Sequence, residues 1–256
     1  MIRSNFFVDN LVKTSNSVEK LTWLYQECSR RMDEVHFDLR SCNTNNEELK
    51  EKMIQDGRFI THGCDLDKIL GLKYSPGSDV MKISEVKIDQ NVNTKRLILS
   101  ESSKLFDPLS FSAPVLVRSK LLISKLWERK KSEHHWDEIV LSEDYKSWLE
   151  ISVDLNKLSE LEFPRISLFD DVKTDIFIFC DASKKAYGAV AYAVQNGTTK
   201  FLIAKPKVAP KNRSLPQLEL LGAVVGLQAL SNILRLFNHV DIRNVYLALD
   251  AQVALS

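Results

Sequence analysis

Apolar and polar positions alternate along this chain with two periods, and each change of period predicts a new element. Residues 5–12 (NFFVDNLV) read as strand, tight turn and strand, because Phe6, Phe7 and Val8 run into Asp9-Asn10 before Leu11 and Val12 resume. Ser17 then stands as an N-cap, and Val18, Leu21, Leu24, Tyr25, Cys28 and Met32 fall three and four apart, which is one face of a helix. Phe37-Asp38-Leu39 predicts a short strand, and SCNTNNEELKEK a short polar helix after turn formers. Residues 69–74 predict a strand ending at the Ser75-Pro76-Gly77 turn, with the alternating stretch 79–88 as its hairpin partner. From Thr94 to about Lys131 the period is helical, broken at Asp107-Pro108 and near Ala113-Pro114, where each proline suits a first helical turn. His134-His135-Trp136 suggests stacking, but a helix-end cap with a core tryptophan is the better reading.

A further helix is predicted over 142–158, with Trp148 and Leu149 facing a core, and Phe163-Pro164-Arg165 reads as a linker. Beyond it the period becomes two. Strands are predicted over 175–181, 188–194 and 201–205, with Ser183-Lys184-Lys185 and Asn196-Gly197 as the turns between them. A basic loop from Lys205 to Arg213 leads into a long apolar helix over 216–237, and 244–249 forms a fourth strand. The order is β-β-β-α-β. The closing residues, VYLALDAQVALS, start an element and stop in mid-pattern, as in a chain cut from something longer.

Composition narrows the class. With 256 residues and 44% hydrophobic content, the chain can build one large core or two small ones. A formal net charge of +1 excludes a uniformly basic surface, so any polyanion contact has to be local. Cys28, Cys42, Cys64 and Cys180 show no metal-ligand spacing and read as reduced thiols of an intracellular protein, cytoplasmic or nuclear. His62 and Cys64 are two ligands, too few for a zinc site. No stretch reads as a membrane span, so no membrane partner is expected.

Three carboxylates carry the sharpest chemistry. Asp181 closes an apolar strand, Glu219 sits in the first turn of an otherwise apolar helix, and Asp250 closes the next strand. Strand ends and an adjacent helix converge on one rim, where clustered carboxylates need a cation, and oxygen-only ligands select hard ions such as Mg2+ or Mn2+. The plainer reading stays open: an Asp at a strand end makes turns, and a Glu near a helix start suits the helix dipole. Two basic stretches stand out, Arg118, Lys120, Lys125, Arg129 and Lys130 on one helix, and Lys205, Lys207, Lys211 and Arg213 in the basic loop. Each fits a phosphate track or an ordinary solvated face.

At this point the sequence resembles a family. FCDASKKAYGAVAYAV, LIAKPKVAPKNRSLPQLELLGAVVGLQAL and VYLALDAQVAL resemble the ribonuclease H domain of BEL/Pao-type LTR retrotransposons. Upstream, TKRLILSESSKLFDPLSFSAPVLVRSKLLISKLW resembles their thumb and connection region, FFVDNL their polymerase hairpin, and LGLKYSP the strand after it. The resemblance implies an α/β (α+β) chain: the C-terminal part of a reverse-transcriptase palm over 1–92, a helical thumb or connection over 93–165, and the N-terminal part of a ribonuclease H-like mixed-sheet domain over 172–256. A peptidase label also attaches to this family region, but neither Asp-Thr-Gly nor Asp-Ser-Gly occurs here.

The resemblance implies roles too. Asp181, Glu219 and Asp250 match three metal-binding, catalytic carboxylates, with Mg2+ or Mn2+ as cofactor. Ser183 and Gly188 match small residues beside the nucleic-acid backbone, and Asp9 is the remnant of the polymerase hairpin. The expected partners are an RNA–DNA hybrid or other nucleic acid and the remainder of the Pol polyprotein. Two departures predict impaired activity. Asn10 replaces the second hairpin carboxylate, and Leu249-Asp250-Ala251 replaces Thr-Asp-Ser, while the fourth carboxylate would fall beyond Ser256. The function implied is divalent-metal phosphodiester hydrolysis in the intact element; the alternative is a decayed, non-catalytic nucleic-acid-binding remnant.

Overall fold

The pattern of small residues decides how the largest sheet is covered. In a computed structural model, which describes residues 6–7, 10–15, 17–37, 39, 41–59, 68–69, 71–128, 135–165 and 168–250, the chain divides into two compact units. The elements are β1 (Phe6–Phe7), β2 (Asn10–Leu11), α1 (Val18–Glu34), α2 (Glu47–Gln55), β3 (Lys68–Ile69), β4 (Leu72–Ser75), β5 (Val80–Ile83), α3 (Lys95–Ser103), α4 (Ala113–Glu128), α5 (Ser142–Lys157), β6 (Glu162–Pro164), β7 (Thr174–Ala182), β8 (Ala186–Gln195), β9 (Thr198–Val208), α6 (Leu215–Leu236) and β10 (Ile242–Leu249).

One unit comprises 83–161 and 166–256. Its sheet runs β10-β7-β8-β9, with β7, β8 and β9 as antiparallel neighbours and β10 parallel to β7. Asn196 (φ 50°) and Gly197 (φ 74°) make the β8–β9 turn, both left-handed as a two-residue hairpin of this kind requires. Along β7 and β8 every second residue is buried: Ile176, Ile178 and Cys180, then Ala189, Ala191 and Ala193. Helix α6 lies on that face. The three alanines leave the room that Gly222, Ala223 and Gly226 of the helix then use.

The other face receives α4 at β9. The Ala204 amide donates to the Leu109 carbonyl at 2.9 Å, and Phe111 stacks against Phe201 at 4.5 Å. These contacts cover an outer strand of the sheet that would otherwise offer unpaired backbone groups. Around α3, α4 and α5 the apolar positions Ile98, Leu122, Leu126, Trp148, Ile151 and Leu155 form a buried core. Two helix starts are set locally: Thr94 Oγ1 accepts from the Leu97 amide at α3, and Ser214 with Gln217 forms a reciprocal capping box on α6.

The other unit comprises 1–82 and 162–165. β1 and β2 pair antiparallel, as Phe6 with Leu11 and Phe7 with Asn10; Asp9 lies outside the described residues, as do His62, Cys64, Arg129 and Lys130. Tyr25, Leu49 and Met53 join α1 to α2, and the Tyr25 hydroxyl donates to Asp56 at 2.8 Å. A four-stranded sheet runs β3-β4-β5-β6. At its end Arg165 forks onto Asp79, with 2.7 and 3.0 Å contacts, and Tyr74 donates to the same carboxylate at 2.7 Å. Arg165 first, then Tyr74, holds Asp79 below the usual carboxylate range, whereas burial and then the Asp79 contact push Tyr74 up to about 12.

Several expectations change. Phe37 and Leu39 are not in a strand; the chain leaves α1 through His36 at φ 58° and Phe37 stays exposed. The strand expected over 69–74 is a hairpin, because Gly71 takes φ 80° and turns β3 back along β4. Residues 163–165 are no linker: Glu162–Pro164 pairs antiparallel with Val80–Lys82 as β6. Residues 83–92 and helices α3 to α5 lie in the same compact unit as the mixed sheet. Pro108 sits in a turn whose Asp107 carboxylate accepts from the Phe111 and Ser112 amides, not in a helix, whereas Pro114 does occupy the first turn of α4. Finally, α6 is long and apolar enough to cross a membrane by length and composition, yet Leu218, Gly222, Ala223, Val225, Gly226, Ala229 and Ile233 are buried in the unit.

Two substitutions test this packing. A Cβ on Gly226 would collide with Cys180 Sγ and meet Ile178 Cγ2 at 3.2 Å, so Gly226→Ala is expected to destabilise the unit by about 1–3 kcal/mol in urea unfolding; unchanged stability would contradict the close approach of helix and sheet. Asp79→Asn keeps a residue tolerant of the φ 52° turn but removes the charge that Arg165 grips, for an expected loss of about 1 kcal/mol at neutral pH. Because the folded pKa of Asp79 is depressed, its contribution is present above the ordinary carboxylate pKa and disappears as pH falls through the depressed value. The stability difference between wild type and variant should therefore shrink on acidification.

Candidate functional site

Register brings two of the three candidate carboxylates to one rim. β10 runs parallel to β7 with Leu249 opposite Cys180, so the next residues, Asp250 and Asp181, stand side by side on neighbouring strands, which are about 4.8 Å apart in any sheet. Both are exposed, and Asp181 Oδ1 accepts from the Ala182 amide at 2.7 Å. Glu219 comes from the second turn of α6 and not the first, because the helix starts at Leu215. A Cβ on Gly222, one turn later, would lie 3.3 Å from the Asp181 carbonyl oxygen and 3.7 Å from that of Gly188, so this part of the helix crosses β7 and β8 at the level of Asp181. Glu219 precedes Gly222 by three residues, hence on the same side of the helix, and is half-buried. The backbone thus brings all three elements together. Among the described residues, no three carboxylate, imidazole or thiol side chains are grouped closely enough to hold a metal ion.

The donor set fits a hard divalent cation in kind, since it offers carboxylate oxygens alone. The residues that resemblance places beside the nucleic-acid backbone have structural work of their own. Ser183 Oγ accepts from the Lys185 and Ala186 amides at 3.3 and 3.1 Å and donates to the Ala186 carbonyl at 3.0 Å, which fixes the β7–β8 turn. Gly188 is needed because β9 passes close: a Cβ there would stand 2.9 Å from the Lys205 carbonyl oxygen. That turn carries Lys184 and Lys185, both exposed on the same rim, and the Ala209 amide pins it by donating to the Lys185 carbonyl at 2.9 Å. In the sequence these lysines read only as turn residues; the sign available there is their position three and four residues after Asp181.

The basic groups divide by partner. Lys205 and Lys207 lie in β9, opposite Ala189 and Tyr187, and not in a loop; pairing with β8 continues to Val208. Lys207 and Arg213 are exposed, and Lys211 meets Glu128 at 3.4 Å. On α4 the picture differs. Arg118 bonds Asp154, and Lys125 lies 2.9 Å from the fully buried Asp144 and 3.1 Å from Glu143. These partners, Asp144 first, hold Lys125 above the usual lysine pKa. The α4 cations therefore serve the contact with α5, where the carboxylates sit at matching heights, and only Lys120 among Arg118, Lys120 and Lys125 stands exposed with no ion pair among the described residues.

Comparison with known proteins gives a family. Residues 94–251 match the model of the Pao retrotransposon-like RNaseH-like domain. That span takes in α3 to β10, the helices and the mixed sheet together. No curated protein matches the sequence. Among solved structures the chain is similar to the foamy viral protease–reverse transcriptase in complex with RNA/DNA hybrid, at 15% identity and TM-score 0.48, covering 91% of this chain and 33% of that one. It is also similar to the dRH form of that protein in complex with dsDNA, at 16% identity and TM-score 0.44, covering 84% of this chain and 38% of the other. The chain thus spans between 33% and 38% of the length of these two.

Proposed function

We propose a function from the premise that this chain belongs to the Pao retrotransposon-like RNaseH-like domain family: its mixed sheet handles a nucleic acid, and the Asp181–Glu219–Asp250 rim hydrolyses a phosphodiester of an RNA–DNA hybrid with Mg2+ or Mn2+. The observation that carries this reading is the parallel register of β10 on β7, which sets Asp250 beside Asp181 at the end of the sheet. Asp181, Asp250 and Glu219 would hold the cation, which when bound supplies Lewis-acid activation of water and stabilisation of the leaving oxygen.

The chain's own residues contribute the rest. Hydrogen bonding to the Ala182 amide holds the Asp181 carboxylate in place without neutralising it. Lys184 and Lys185 in the β7–β8 turn and Lys207 on β9 are exposed cations at the same end of the sheet as Asp181, and Arg213 is exposed just before α6, so phosphates can be held where the carboxylates alone would repel them. Contacts of this type position a backbone and do not read sequence, which suits a hybrid recognised by shape and 2′-hydroxyls.

One observation favours the alternative, a non-catalytic nucleic-acid-binding remnant: the three side chains are not drawn into a cluster among the described residues. The peptidase reading has no motif in the sequence. The first unit fits a polymerase-derived palm on resemblance alone, and Asn10 in place of a carboxylate leaves it a poor holder of Mg2+.

Two measurements follow. Mn2+ titrated during thermal unfolding is expected to raise the transition of the wild-type chain, because a ligand that binds only the folded state stabilises it. The rise should be much smaller for Asp181→Asn, which should also abolish cleavage of an RNA–DNA hybrid; equal shifts in both proteins would remove the metal site. For binding, the joint variant Lys207→Ala with Arg213→Ala is expected to reduce the slope of log affinity against log salt by about 2, since each phosphate contact contributes about 0.9. Arg118→Ala should leave the slope unchanged, because Asp154 already occupies that cation.

A further inference from the structure

Trp136 is not a core residue. It is 41% exposed and Trp127, at the end of α4, is 49% exposed, in contrast to Trp148, which is fully buried between helices. The two exposed indoles meet edge to face, with centroids 4.6 Å apart and planes at 89°. Such a pair leaves a right-angled notch, one ring as floor and the other as wall. The notch is held firmly. The Arg96 amide donates to the Trp136 carbonyl at 3.1 Å, and the Val140 amide donates to the Asn93 carbonyl at 2.8 Å. The Arg96 guanidinium stands 5.4 Å from the centre of the Trp136 ring while Asp137 takes its fork with 2.6 and 3.0 Å contacts.

Two features identify an occupant. Arg96 is neutralised by Asp137, so the notch offers ring faces and little net charge; a flat aromatic ligand suits it better than a bare anion. Its neighbour Glu128 bridges to Lys211, so the notch adjoins the β9–α6 segment that also carries Arg213. We propose that Trp127 and Trp136 form a stacking platform for an unpaired nucleobase on a single-stranded extension of the bound nucleic acid. This rests on the nucleic-acid reading of the preceding section and adds to it a second, uncharged contact. Base stacking of this kind is indifferent to sequence and, with no phosphate neutralised, adds little to the salt slope.

The probe is an RNA–DNA hybrid with a short thymidine overhang, compared with the same hybrid blunt-ended. The overhang is expected to tighten binding at least about fivefold, to quench tryptophan fluorescence in a Trp23→Phe background, and to give nearly the same gain at low and high salt. Trp127→Ala and Trp136→Ala should each abolish the gain while leaving blunt-hybrid affinity intact, and Trp136→Phe, which keeps a stacking face, should retain most of it. Retention of blunt-hybrid affinity also shows that the alanine variants are folded. If wild type binds both hybrids equally, or if the gain survives both alanine variants, the platform is wrong and the nucleic-acid reading stands. If neither hybrid binds, that reading falls and the platform with it.

Discussion

The close seating of α6 on the sheet is the constraint from which the rest follows. Ala189, Ala191 and Ala193 on β8, with Gly222 and Gly226 on the helix, bring helix backbone to within side-chain-free distance of β7 and β8. Nothing larger than hydrogen fits at Gly226, where Cys180 and Ile178 already fill the space. The same seating fixes the height of α6 along β7. Glu219 therefore reaches the level of Asp181, and the apolar residues Leu218, Val225 and Ile233 close the core beneath. Removal of such side chains from water, at about 1.5–3 kcal/mol each, holds the arrangement against the repulsion of like-charged groups at its rim.

A second constraint concerns what the helices are for. α4 looks like a basic helix, but two of its three cations, Arg118 and Lys125, are matched by carboxylates on α5, and the contact of Phe111, just before α4, with Phe201 of β9 makes the helices part of the same body as the sheet. The family match starting at residue 94 encloses the same elements. Free positive charge stands elsewhere, around the sheet end that carries Asp181. The chain as a whole is nearly neutral, so this uneven placement, and not total charge, is what makes one edge suited to a polyanion.

Much of this was legible in the sequence. Period-two patterning located the strands of the mixed sheet, Asn196-Gly197 announced a hairpin that the positive φ angles bear out, and Ser17, Thr94 and Pro114 marked helix starts where they occur. Local signals suffice for such features because the responsible forces act within four residues. Asp181 and Asp250 were readable as strand ends and Glu219 as a residue near a helix start. Their relation was not, since it depends on Leu249 pairing with Cys180 across nearly seventy positions of chain.

Tertiary structure alone decided the remainder. Short stretches such as Phe163-Pro164-Arg165 read as linker until β5 supplies a partner for Glu162–Pro164, and residues 69–74 read as one strand until Gly71 turns left-handed. Whether a lysine or arginine is spent or available depends on carboxylates from other elements, as Asp154 shows for Arg118 and Asp144 for Lys125. Burial of a tryptophan likewise depends on neighbours remote in sequence, so Trp148 and Trp136, both read as core residues from the sequence, end one buried and one exposed. The sequence by itself determined the elements and the chemistry they carry; long-range pairing and packing determined which of those groups meet, because their energies come from contacts that local pattern does not encode.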